Sequence, residues 1–259
     1  MAEYHASVEH AEFACTIRLS MEAVGSESRY WVHYDGLLSR PGHLAMRHTG
    51  GMPIASMYAS PEELVIHGTE YDRFVTLPGE EDPLDAMSPG DTDWFDWQWR
   101  MLVGPGLKTI ASNDPVALLD PALEGASYLG LEKVDDVETH RIQVEGQGVE
   151  FSLWIAAEGD PRLVKASYPL PPDWIETGWH EESEGYSAHF TSWTERESIP
   201  ARSFVFDTEE ADDEATSIAG AIYGPEYDNF GEDTDWDEFD TADATPLVGS
   251  TAPHFELTS

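Results

Sequence analysis

Hydrophobic and polar residues alternate along most of the first three quarters of this chain, with the period of two that a half-buried strand requires. Phe13, Cys15, Ile17, Leu19 and Met21 alternate with Ala14, Thr16, Arg18 and Ser20, which predicts a long first strand. Gly25-Ser26-Glu27 turns the chain into a second, where Tyr30, Val32 and Tyr34 oppose Trp31, His33 and Asp35. Shorter runs at Leu44–Arg47, Ile54–Tyr58, Leu64–His67 and Tyr71–Leu77 complete a six-strand antiparallel series. Gly and Pro punctuate it where turns belong. Between Gly125 and Tyr168 the pattern predicts four more strands. Val149, Phe151, Leu153 and Ile155 alternate there with Glu150, Ser152, Trp154 and Ala156. Tyr186–Trp193 and Phe204–Phe206 are the expected closing strands.

The periodicity changes in the middle. Asp91-Thr92-Asp93 ahead of Trp94, Phe95, Trp97, Trp99, Met101 and Leu102 reads as a capped helix start, with Gly104-Pro105-Gly106 as its stop. Asn113-Asp114-Pro115 opens a second, short helix through Val116, Leu118 and Leu119.

The wording of the 125–168 segment carries a resemblance. "YLGLEKVDDVETHRIQV", "VEFSLWI" and "GDPRLVKASY" are similar to a family of predicted periplasmic proteins of unknown function, through Val134, Asp135, Val137, His140, Trp154, Ile155, Pro161, Arg162 and Lys165. Asp136 stands where the family has Gly. The resemblance spans about Phe13 to Asp207. It implies a half-barrel like that of the Lol-type lipoprotein carriers: a mainly β (α+β), strongly curved antiparallel sheet of ten or eleven strands, with a few helices covering the concave face. Residues 8–208 form that domain in this reading, and the chain is then an envelope protein, periplasmic, although Met1-Ala-Glu-Tyr-His does not read as a signal peptide.

Charge changes the picture next. The 259 residues carry 51 acids against 13 Lys and Arg, a formal net charge of −38. This argues against nucleic acid and anionic membrane surfaces as partners and for a salt-tolerant protein. The acids are dispersed through the strands, as on a solvated surface. After Arg202 there is no Lys or Arg, and residues 209–245 hold 14 acids, so a mobile acidic linker or tail is expected there. Residues 246–259 resemble the opening of a redoxin (thioredoxin-like) domain through Leu247, Gly249, Ala252, Pro253, Phe255 and Leu257. A fused or associated redoxin domain is the implied partner.

Candidate chemistry is sparse. Cys15 is the single cysteine, on the apolar face of its strand, and reads as buried and inert. His5 and His10, or His43 and His48, lack a zinc-binding spacing. Asp233, Asp235 and Asp237 imitate half a calcium loop, but Glu238 and Ala244 occupy the positions that need Gly and Glu. No catalytic residues, metal ligands or cofactor are assigned, and the chain reads as a non-enzyme. No run is long and apolar enough for a membrane span. The rings of Trp94, Trp97 and Trp99, together with Phe151 and Leu153, are the expected walls of a pocket for a lipid, an acyl chain or a lipoprotein. The bland alternative is a structural or interaction domain whose core these side chains fill.

Overall fold

The computed structural model describes residues 1–23, 26–80, 105–119, 125–146, 149–168, 185–211 and 213–228. Helix α1 (Ala2–Ser7) leads into β1 (His10–Ala23) and β2 (Ser26–Ser39), followed by β3 (His43–Gly51), β4 (Ala55–Ala59), β5 (Glu63–Gly68) and β6 (Arg73–Pro78). Helices α2 (Pro105–Ala111) and α3 (Pro115–Leu119) precede β7 (Ala126–Val134), β8 (Val137–Gly146), β9 (Val149–Ala156), β10 (Leu163–Tyr168) and β11 (Gly185–Glu195). A two-residue β12 (Asp213–Glu214) and helix α4 (Ile218–Tyr223) follow. The described strands form one curved, unclosed sheet of order β12-β6-β5-β4-β3-β2-β1-β11-β10-β9-β8-β7. The mainly β fold read from the sequence is what the chain adopts.

β1 joins the halves. It pairs with β2 over its whole length, from His10 opposite Ser39 to Ala23 opposite Ser26, and with β11 along its other edge. A strand flanked on both sides and covered by helices needs one uniformly apolar face. Phe13, Cys15, Ile17 and Leu19 supply it, each at most 3% exposed. The helix-covered face of the sheet carries the core, and Leu107, Ile110 and Ala111 of α2 and Leu119 of α3 are buried in it. Helix α2 rides close on small residues. A Cβ on Gly106 would meet Ala166 Cβ at 3.0 Å and Ala188 Cβ at 3.2 Å.

Arg40, in the β2–β3 turn, ties this layer together. Its guanidinium donates to the carbonyls of Val8, Ile110 and Ser112, so one side chain satisfies the ends of both α1 and α2. The fixed charge also suits the negative end of a helix.

Several expectations need correction. Pro105-Gly106 begins a helix rather than ending one, because Pro is well placed at a first helical position where its missing N–H is not required. The preceding helix expected over 91–102 lies outside the described residues. Phe204–Phe206 is no strand: Ala201–Phe204 is a 3₁₀ turn. Phe206 instead lays its ring against Tyr58, His67 and Phe74 at 5.4, 4.7 and 5.6 Å, covering the outer face of β4–β6. The sheet gains a twelfth strand, parallel to β6, from the stretch expected to be a linker. Beyond it, α4 buries Ala219, Gly220, Ala221 and Ile222 against β5 and β6. The packed elements therefore begin at α1, before residue 8, and continue to Asp228.

Candidate functional site

The sheet offers two surfaces of opposite character. On the helix-covered side, β9, β10 and β11 present Phe151, Leu153, Ala166, Tyr186, Ala188 and Phe190, all buried. Phe151 stacks on Tyr168 with centroids 5.5 Å apart, while Phe190 meets Phe13 edge-on, and Phe13 in turn stacks on Trp193 at 5.9 Å. Of the expected pocket residues, Phe151 and Leu153 are thus brought together in the core. Trp94, Trp97 and Trp99 lie outside the described residues.

This apolar wall contains polar atoms without partners. The Tyr168 hydroxyl is buried and, among the described residues, has no hydrogen-bond partner, and neither does that of Tyr34. Burial pushes both phenols well above their ordinary range, because a phenolate would be desolvated there. Cys15 is buried on the same face, its thiol pushed up to about 12 by desolvation and then by the negative charge of Asp35. Nothing activates it. At the α1 end, His5 accepts a hydrogen bond from the Leu163 amide through Nε2 at 3.0 Å. Its Nδ1 has no partner among the described residues, and Trp193 meets the ring edge-on at 4.9 Å. Burial first, then Arg40, lowers the His5 pKa to about 3.

The opposite, outer face is organised in cross-strand rows, since residues directly opposite in antiparallel strands project to one side. One row runs Arg141, Trp154, Lys165, His189, Thr16 and His33 across β8, β9, β10, β11, β1 and β2. The next runs Gln143, Ser152, Ser167, Ser187, Arg18 and Trp31 over the same strands. Neither row contains an acid. The Trp154 ring, only 4% exposed, lies between the Arg141 guanidinium at 5.0 Å and the Lys165 ammonium at 4.7 Å. The Asp135 carboxylate reaches His189 from the β7–β8 turn at 3.4 Å. Even so, burial lowers the His189 pKa, with Arg18, Lys165 and Arg162 pushing the same way. Where β1, β2 and β11 meet, a cavity of about 420 Å³ opens between Thr16, Arg18, Ser20, Arg29, Trp31 and His33. The sequence pattern contains this surface only as the polar half of each strand, and the register is what assembles it.

Among the described residues no group of three His, Cys, Asp or Glu side chains converges as a metal site. The histidines are engaged elsewhere: His33 with Thr16 at 2.8 Å, His67 with Asp72 at 2.7 Å, and His140 with Tyr128 at 3.1 Å.

Fold and surfaces together define a non-closed, helix-lined β-sheet protein with an apolar interior face. Residues 96–216 match the family described as "Predicted periplasmic protein (DUF2092)", so the resemblance read from the sequence is shown over that stretch. No curated protein matches the chain. Among solved structures it is similar to an uncharacterized conserved protein from Thermus thermophilus, at 7% identity and TM-score 0.41, covering 78% of this chain and 89% of that one. It is also similar to LprF from Mycobacterium bovis (11%, TM-score 0.39, 77% and 91% covered). A third is a LolA superfamily protein from Nitrosomonas europaea (11%, TM-score 0.33, 79% and 96% covered). None of the described helices is long and apolar enough to cross a membrane.

Proposed function

We propose that the chain is a non-catalytic binding module of the periplasm or cell envelope, which holds an apolar ligand or lipidated cargo against the helix-covered face of its sheet. The observation that carries the reading is the Phe151–Tyr168 pair, a stacked aromatic wall with a buried hydroxyl that no group among the described residues satisfies. An unpartnered buried hydroxyl costs about 1–3 kcal/mol, and the ester or headgroup oxygen of a lipid would remove that penalty. Helices laid over an apolar sheet face are the geometry such a ligand requires. Trp94, Trp97 and Trp99 would complete the wall. The periplasmic placement is supported by the description of the matched family. In its finer form the reading makes the module accessory to a redoxin domain, supported by the wording of residues 246–259 alone.

Native mass spectrometry of protein purified from an envelope fraction tests this. Bound lipid is expected in the wild type and depleted in Phe151→Ala. Tyr168→Phe separates the possibilities further: it should raise stability by removing the orphan hydroxyl, and lower lipid occupancy only if that hydroxyl meets the ligand. Protein that is empty when taken from the envelope would sink the reading.

The second reading, an interaction domain with a filled core, rests on a different observation. The edge strand β7 exposes Tyr128, Leu129 and Leu131 at 61%, 49% and 58%. An edge strand of that kind is a template for pairing with another chain. Loss of partner pull-down on Leu131→Lys, with lipid content unchanged, would favour it.

A further inference from the structure

The two ends of the helix-covered face differ. At the β12 end α4 lies on β5 and β6, and Ile66 and Val75 of those strands are buried. At the β7 end the same face runs out into solvent. One row of opposed residues passes Ala166, Leu153, Ile142 and Tyr128 across β10, β9, β8 and β7. Ala166 and Leu153 are buried, Ile142 is half-buried and Tyr128 is 61% exposed. The neighbouring row, Leu163, Ile155, His140 and Leu131, rises in the same way, from a buried Leu163 to a Leu131 that is 58% exposed. Directly opposed residues share a face, so both rows continue the wall of Phe151 and Leu153 outward to the rim.

Neither row contains an acid, in a chain with 51 acids against 13 Lys and Arg. The polar side chains in them are at the rim, where the Tyr128 hydroxyl and His140 Nδ1 are hydrogen-bonded at 3.1 Å. An amphipathic ligand sorts itself on such a gradient. Its acyl carbons gain by reaching Leu153 and Phe151. A headgroup, or the polypeptide of a lipidated cargo, is costly to desolvate and stays in water.

We propose that the inner face of β7 and β8 is the mouth of the apolar site: an acyl chain enters over Leu131 and Ile142, and its polar end stays at the Tyr128–His140 pair. This rests on the apolar-ligand reading and gives that ligand a direction. A partner strand is the competing occupant of this edge. β7 is interrupted, however, between Tyr128 and Gly130, where its register against β8 shifts and Gly130 takes φ +115°. Such a bulge disrupts the ladder that an added strand would need.

Two photoreactive lysophosphatidylcholines test the direction, one with a diazirine beside the ester and one with it at the end of the acyl chain. After irradiation with the full chain, the ester-side probe should label the peptides that hold Tyr128, Leu131 and His140. The chain-end probe should label the peptide that holds Phe151 and Leu153. Leu131→Asp should weaken lysolipid binding about tenfold or more, since an unpaired carboxylate in an apolar contact costs at least one such factor. Leu131 is exposed, so the variant should melt with the wild type, which separates lost binding from lost fold. Ser127→Asp, on the other face of the same strand opposite Gln143, should bind as the wild type does. Reversed labelling, label on the Phe151 peptide with none on β7 or β8, or equal weakening by both variants overturns the mouth and leaves the apolar ligand standing. Labelling by neither probe overturns the proposal together with the reading on which it rests.

Discussion

Arg73 and Asp228 are 155 residues apart in sequence and form an ion pair at 2.8 Å at the edge of the sheet. Arg73, 5% exposed, also reaches Asp213 at 3.4 Å and donates to the carbonyls of Gly220 and Glu214. Asp228 in turn accepts from the Thr216 amide. Hydrogen bonding to Arg73, above all, holds the Asp228 carboxyl below its ordinary range. One cation therefore closes the acidic segment 213–228 around β6.

Removing one partner of a largely buried pair leaves the other charge uncompensated. Asp228→Ala is expected to lose about 2–3 kcal/mol of unfolding free energy, below the full range for fully buried pairs because Asp228 keeps some solvent contact. Urea unfolding measures it. Amide exchange should show Ala215, Gly220 and Ala221 protected in the wild type at low salt, because their N–H groups bond to the Phe74 carbonyl, Ser217 Oγ and the Ser217 carbonyl. Fast exchange at all three would mean that the clasp does not form.

The acidic segment shows where sequence reasoning stops. Beyond Arg202 there is no Lys or Arg, and local charge predicts self-repulsion and a linker. The compensating cation is Arg73, on a strand formed much earlier, and no local window contains both. The long alternating strands were legible because each residue's face follows from its neighbours two positions away. Phe204 and Phe206 mimic that alternation, yet they cap rings on the outer face instead. For the candidate sites, Phe151 and Leu153 could be read from the pattern. The cavity on the outer face could not, because it depends on the register of β1 with β2 and β11.

Gly36 is opposite Phe13 in β2, and its missing side chain is what lets the Phe13 ring lie across the strand. A Cβ there would come within 2.1–2.5 Å of three ring atoms. The ring cannot simply swing away, since Phe190 and Trp193 hold it. Gly36→Ala is expected to cost about 1–3 kcal/mol through overpacking, lowering the Tm by roughly 2–12 °C for a chain of this size. Gly50→Ala is the control, because its Cβ would meet only His33 Cδ2 at an ordinary 3.7 Å.

Cys15 should be silent in the native protein. It is 3% exposed with its thiol pushed up to about 12, so neither access nor thiolate is available near neutral pH. A disulfide-exchange reagent at about pH 8 should label it only after denaturant is added. Rapid stoichiometric labelling of folded protein would show that the β1 face opens.

His5 makes stability depend on pH in a definite direction. Its pKa falls from an ordinary 6.5 to about 3 in the folded state, chiefly through burial. Above pH 6.5 it is neutral in both states and contributes no pH dependence. Between 6.5 and 3 the unfolded chain binds a proton that the native chain refuses, so stability falls as the solution is acidified. Each pH unit crossed inside that window costs about 1.4 kcal/mol, so the loss between about pH 7 and pH 4.5 is on the order of 2–3 kcal/mol. Acid also relieves repulsion among the many carboxylates, which acts oppositely, so the wild-type curve alone does not isolate the effect. His5→Gln does: a Gln oxygen can still accept from the Leu163 amide, but it has no proton to take up. The stability difference between wild type and His5→Gln, measured by urea unfolding, should shrink by on the order of 2–3 kcal/mol from about pH 7 to pH 4.5. A difference that stays constant over that range would show that His5 titrates alike in both states and is not a buried neutral ring in the folded protein.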